Sequence, residues 1–162
     1  MNMNIQKYIY DALRAAGMTA EGACAVLGNL QAESAFRPNN VEDRSGISDE
    51  RYTAAVDNGT YSRYQFAHDS YGYGLAQWTY YKRKEWMYDC AKGEGTSIGD
   101  CAFQIRFLVR EMKRDFASIW SLCCTSNDLY KCTKELLYRW ENPYEKENIS
   151  RSEERRVGKE CR

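Results

Sequence analysis

Apolar residues recur every three or four positions near both ends of the chain, and this period commits most of it to helices. Ile5, Tyr8, Ile9, Ala12 and Leu13 share one helical face. Gly17 reads as the stop. Thr19 is placed to cap a second helix whose apolar side is Cys24, Val26, Leu27 and Leu30. Pro38 bounds that helix, because the residue before a proline is pushed out of the α region. Further on, Ser97 is expected to cap a helix over about residues 98–114, with Phe103, Phe107, Leu108 and Met112 inward. A short helix holds Phe116, Ile119 and Trp120. Ser126 is expected to cap a last helix with Leu129, Leu136, Leu137 and Trp140, ended by Pro143. Residues 39–72 break the pattern. They are rich in Asn, Asp, Ser and Gly, and "RYTAAV" and "TYSRYQF" alternate, which predicts loops, a short helix and a small β-hairpin. "GYGLAQWT" (72–79) is a glycine-punctuated turn entering a helix that runs to about residue 92, where "KGEGTSIGD" breaks it. The class is mainly α with a small irregular or β insert.

Bulk properties narrow the functions. With 43% hydrophobic and 14% aromatic residues in 162, the chain can close one modest core. No apolar run approaches the roughly 18 residues of a membrane helix, and the amphipathic N-terminus is not a secretory signal. No membrane partner is expected. The 23 basic and 23 acidic residues leave no electrostatic footprint for nucleic acid. The last twelve residues, "RSEERRVGKECR", have no apolar period and read like the in-frame translation of a sequencing-library adapter. Residues 151–162 are therefore expected to be an artefact without a fold, and the natural chain to continue past residue 150 with further domains. Six other cysteines remain, at 24, 90, 101, 123, 124 and 132, with no C-x-x-C among them, and His68 is the only histidine. No metal site or cofactor is expected. Cys90 with Cys101, and Cys123 or Cys124 with Cys132, are spaced to close short loops in an oxidising medium; reduced, buried thiols are the favoured reading.

Glu33 is the residue that raises the question of chemistry. It closes "AEGACAVLGNLQ", an almost uncharged stretch. A glutamate near a helix end is usually a solvated one. Where a substrate covers it, however, desolvation favours the neutral acid, and a neutral carboxyl at neutral pH can protonate a leaving oxygen, the first requirement of glycosidic cleavage. Spacing alone does not choose between the two.

The ordered motifs do. "GNLQAESAFRPNN", "YTAAVDNGTYS", "DSYGYGLAQWTYYKRK", "SIGDCAFQIRFLVREM" and "LLYRWENP" together resemble the phage tail-type lysozyme domains of the lysozyme-like superfamily, which includes goose-type lysozymes and lytic transglycosylases. In that superfamily an E-S pair closes one helix and a G-L-x-Q turn faces it across a cleft. The resemblance covers about residues 10–148 and implies that residues 1–150 are a lysozyme-like helical domain whose insert forms a substrate cleft. It further implies that Glu33 is the general acid and Ser34 its hydrogen-bonding neighbour. Gly74 and Leu75 would shape the turn, and Gln77 would orient the substrate N-acetyl group or the water. Trp78, Tyr73 and Tyr71 would offer flat faces to sugar rings. "WENP" departs from the family's Y-E-R-P, so Trp140 is given no role and Glu141 is read as structural.

An inverting hydrolase needs a second carboxylate about 6.5–9.5 Å from the acid, a retaining one about 5–5.5 Å. Asp57 and Asp69 lie inside the resembling motifs and rank first. Asp57, in "DNG", is equally a turn residue. Should neither approach Glu33, the resemblance implies a transglycosylase, with Glu33 as acid and then base and the sugar's own 6-hydroxyl in place of water. The expected activity is cleavage of the β-1,4 bond between N-acetylmuramic acid and N-acetylglucosamine in peptidoglycan glycan strands, by a protein of the phage tail or of the bacterial cytoplasm or cell envelope. Two other classes compete: a wall-binding tail module with a dead site, and a cysteine peptidase pairing a thiol with His68.

Overall fold

A computed structural model describes residues 4–141, which divide into two compact units. The first contains residues 4–32 and 109–141. Helix α1 (Ile5–Ala15) starts at Asn4, whose side chain accepts from the Lys7 amide, and it buries Ile9 and Leu13 completely. Gly17 at φ +115° turns the chain out of it. Helix α2 (Ala20–Ser34) is capped as expected by Thr19, whose Oγ1 accepts from Gly22 N at 3.0 Å. The same hydroxyl donates to the carbonyl of Ser126 at 2.7 Å. Gly22 is required by this approach, since a Cβ there would lie 2.1 Å from the carbonyl oxygen of Cys123. Helices α7 (Ala117–Thr125) and α8 (Leu129–Glu135) follow, the latter continuing as a π-helical turn, Leu136–Glu141. Asp128 caps α8, accepting from Lys131 N at 3.0 Å, whereas Ser126 accepts from Asp128 N and so shapes the loop before the cap. Leu136 and Trp140 are fully buried. The expected stop at Pro143 and the tail 151–162 lie outside the described residues.

The second unit spans Glu33–Leu108. It contains α3 (Asp49–Asn58), α4 (Arg63–His68), α5 (Tyr81–Glu94) and the first half of α6 (Cys101–Asp115), with a 3-10 turn at Asp43–Ser45. Here the sequence reading is corrected. "RYTAAV" is helical, and "TYSRYQF" runs from a bend through the cap Ser62 into a helix; neither forms a hairpin. Ser48 caps α3, and Ser62 with Gln65 forms a capping box for α4; Tyr52 and Val56, one helical turn apart, are buried. β-pairing among the described residues is limited to the isolated bridges Val41–Tyr73 and Tyr73–Trp78. Helix α6 starts later than expected, capped by Asp100 through Phe103 N at 2.7 Å. The core of this unit is aromatic. Tyr52 stacks on Tyr73 at 5.5 Å, Phe66 meets Tyr73 edge-on at 5.7 Å, and Phe107 takes Trp78 at 5.4 Å and Trp86 at 5.0 Å. Helix α5 contributes Lys84, Met87 and Ala91, all fully buried.

Candidate functional site

The E-S pair ends α2. Glu33 is exposed and Ser34 is buried, because adjacent positions on a helix face different ways. The chain leaves the helix through two consecutive left-handed residues, Ala35 at φ +49° and Phe36 at φ +61°. Each costs on the order of 1–2 kcal/mol for a residue bearing a Cβ. Burial of Phe36 and a bond from Arg37 N to the Ser34 carbonyl at 3.1 Å hold them there.

The glycine turn meets this helix end. Tyr73 and Trp78 exchange backbone hydrogen bonds at 3.1 and 2.9 Å, closing residues 73–78 into a tight loop. Gly74 sits at φ +80° and donates to the Asn40 carbonyl at 2.8 Å. Ser34 Oγ donates to the Leu75 carbonyl at 2.9 Å, so the two motifs are joined directly. Gln77, at φ +50°, donates through Nε2 to the carbonyls of Asn40 and Gly74, both at 3.0 Å. Its amide nitrogen therefore holds the loop.

The three rings expected to face sugar differ in burial. Tyr73 and Trp78 are 0% exposed; both belong to the aromatic core and present no face to a ligand. Tyr73 instead shares a hydrogen bond with Thr53 at 2.6 Å, and burial raises the pKa of its hydroxyl. Tyr71 is half-buried, with the Arg44 guanidinium 5.8 Å above its ring. Leu75 is fully buried.

The two aspartates are engaged inside the fold. Asp57 Oδ1 accepts from Ile98 N at 3.0 Å and Oδ2 from Ser97 Oγ, which fixes the loop before α6. Asp69 accepts four donors: Lys84 Nζ at 2.6 Å and Tyr71 N at 2.9 Å on Oδ1, and the hydroxyls of Tyr52 and Tyr61 on Oδ2. Burial pulls the Lys84 ammonium's pKa down and Asp69 pulls it back up. Burial, reinforced by Asp69, raises the pKa of both tyrosine hydroxyls, that of Tyr61 to about 12. His68 lies between the rings of Tyr64 and Tyr81 at 4.2 and 5.0 Å, with Nε2 3.5 Å from Glu85. These neighbours give it no thiol to activate. Cys101, Cys123, Cys124 and Cys132 are free thiols, and burial raises the pKa of Cys123 to about 12.

Two organising residues escaped the sequence reading. Gln104 on α6 is fully buried, accepts from Leu75 N at 2.8 Å, and donates to the carbonyls of Pro38 and Ile98 at 2.5 and 2.7 Å. Lys84 donates to Asp69 and to the Tyr71 carbonyl at 2.8 Å. The signal for Lys84 was its register: it lies three and seven positions before the buried Met87 and Ala91. Gln104 carried a similar one, as a polar residue between Phe103 and Ile105 in an apolar run. No group of three or more metal-ligating side chains occurs among the described residues, nor is any of their helices long and apolar enough to cross a membrane.

No curated protein and no solved structure gives a significant match to the chain. The phage tail lysozyme family, in contrast, matches residues 4–158, nearly the whole length. With the helical class, the E-S helix end and the glycine turn bound to it, this match establishes that the chain belongs to the phage tail lysozyme family.

Proposed function

We propose that this chain cleaves peptidoglycan glycan strands at the N-acetylmuramic acid–N-acetylglucosamine β-1,4 bond, with Glu33 as general acid. The observation that carries the reading is the hydrogen bond from Ser34 to the Leu75 carbonyl. It fixes the glycine turn one residue from Glu33 and leaves Glu33 on the solvent side of the helix end, where a polymer can reach it. A glycan lying over that carboxyl displaces water, which favours the neutral acid and prepares it to protonate the bridging oxygen. After the bond breaks, the carboxylate is the base that completes the reaction.

The environment of the aspartates bears on the second step. Asp57 and Asp69 serve internal donors through both of their oxygens. A water-activating role for either would have to displace those donors. This favours the branch in which Glu33 alone serves as acid and base and the 6-hydroxyl of the muramic acid attacks, leaving a 1,6-anhydro end. Digestion of purified peptidoglycan by the native chain and by Glu33→Gln, read by mass spectrometry, tests both levels. Cleavage that survives in Glu33→Gln sinks the assignment of the acid. Products that carry the mass of an added water sink the transglycosylase branch and leave a hydrolase.

A further inference from the structure

We propose that Gln104 is a positioning residue for Glu33, acting through the backbone of Leu75 and Ser34; the proposal rests on the function proposed above. Gln104 is 0% exposed, and its amide bonds three separate backbone segments. Oε1 receives Leu75 N–H in the glycine turn. Nε2 donates to Pro38, four residues beyond the E-S pair, and to Ile98 in the loop before its own helix. Leu75 is thus held at both backbone groups, its N–H by Gln104 and its carbonyl by Ser34 Oγ. Because the amide donates twice, its oxygen is polarised as an acceptor, and bonds linked in this way reinforce one another.

The same side chain closes the other end of the helix exit. Between Ser34 and Pro38 the chain runs through the left-handed Ala35 and Phe36. Ser34 is tied to Leu75 and Pro38 to Gln104, so both ends of this unfavourable stretch are anchored to one network. Gly74 makes room for it: a Cβ there would lie 2.8 Å from both Oε1 and Nε2 of Gln104. Gln104 touches no reacting atom in this scheme. It fixes where the end of α2, and with it Glu33, stands relative to the turn, and a misplacement of about 1 Å in such geometry can cost about 10²-fold in rate.

The experiment compares the native chain with Gln104→Leu and Gln104→Glu. Expected for Gln104→Leu is a fall in kcat of about 10²-fold with KM changed little, together with faster hydrogen exchange at the Leu75 amide. Gln104→Glu keeps the acceptor for Leu75 N–H but turns a second oxygen toward two carbonyls. Its activity relative to the native chain should therefore rise as the pH falls and the buried carboxyl takes up a proton. A purely structural role would lower thermal stability without that pH-dependent recovery. A Gln104→Leu protein that folds and turns over like the native chain overturns the proposal. Should Gln104→Leu fail to fold, a flat ratio for Gln104→Glu across pH overturns it instead. If the native chain cleaves no glycan, or if Glu33→Gln cleaves fully, the proposed function itself has failed. Exchange then decides alone: protection at Leu75 and at residues 34–36 in a Gln104 variant equal to native rules out the positioning network.

Discussion

Replacing Asp69 with alanine distinguishes a scaffold carboxylate from a catalytic one. The side chains of Asp69 and Lys84 are 6% and 0% exposed and meet at 2.6 Å. Removing the carboxylate leaves a buried ammonium with the Tyr71 carbonyl and, 4.5 Å away, the ring of Phe66. It also strands the hydroxyls of Tyr52 and Tyr61 and the amide of Tyr71. Breaking a buried pair from one side costs about 3–5 kcal/mol, a large share of the roughly 5–15 kcal/mol that holds a domain together. At about 2–4 °C per kcal/mol for a chain of this size, the midpoint of thermal unfolding should fall by roughly 10 °C. The double variant Asp69→Asn, Lys84→Met removes both charges and should be more stable than Asp69→Ala, because no unpaired charge remains. Calorimetry of the native chain and the two variants measures this, and peptidoglycan cleavage is assayed below the lowered midpoint. An Asp69→Ala protein that melts within about 2 °C of native, yet has lost cleavage, would refute the scaffold argument and return Asp69 to the list of acids.

Other expectations follow from the same geometry. Glu33→Gln should lower the cleavage rate by about 10²–10⁴-fold with a far smaller effect on the melting midpoint, since the side chain is exposed; stopped digests and calorimetry on one preparation check both. Gly22→Ala drives a Cβ to within 2.1 Å of the Cys123 carbonyl and should cost about 1–3 kcal/mol, seen as a lower denaturant midpoint with an unchanged slope. Folding raises the pKa of the Tyr52 and Tyr61 hydroxyls, the latter to about 12, so the folded state holds these protons more tightly than the unfolded chain does. Their contribution to stability should then be flat in pH below the ordinary tyrosine value of about 10 and be lost as the pH rises above it, for Tyr61 through about 12. Alkaline melts of the native chain and of Tyr61→Phe measure how much of that loss Tyr61 carries.

The long helices were legible because their apolar period is strong and their stops are local. Ile9 and Leu13 on α1 and the Thr19 cap of α2 needed no tertiary information. The insert was misread for a physical reason. In "RYTAAV" the buried pair is Tyr52 and Val56, and a spacing of four within so short a piece is easily confused with alternation. The cap that reveals α3, Ser48, lies outside the fragment that looks like a strand, and Ser62, the cap of α4, stands inside "TYSRYQF", where it reads as one more polar position of the alternation. Cap residues were misassigned at Ser97 and Ser126 because several oxygen-bearing residues stand close together, and only the fold decides that Asp100 and Asp128 take the amides. The partners of Lys84 and Gln104 were illegible in a stricter sense. They lie 6–66 positions away, and no period encodes them.

The motif residues show why a specific sequence pattern need not be a list of catalytic groups. Gly74, Leu75, Gln77 and Trp78 lie in one turn, and each holds its shape. The glycine supplies the left-handed backbone, Leu75 and Trp78 are buried, and Gln77 ties two carbonyls. Ser34 binds that turn to the helix end. Within "AES" and "GYGLAQWT" Glu33 is the one carboxylate, and it is exposed beside a joint fixed on both sides. A fixed joint is what proton transfer asks of a protein, since the acid must already stand where the bridging oxygen will be. On the function proposed above, substitutions in the turn should act chiefly through the position of Glu33. Combined with Glu33→Gln they should add little further loss of rate, because the group they place no longer carries a proton to give.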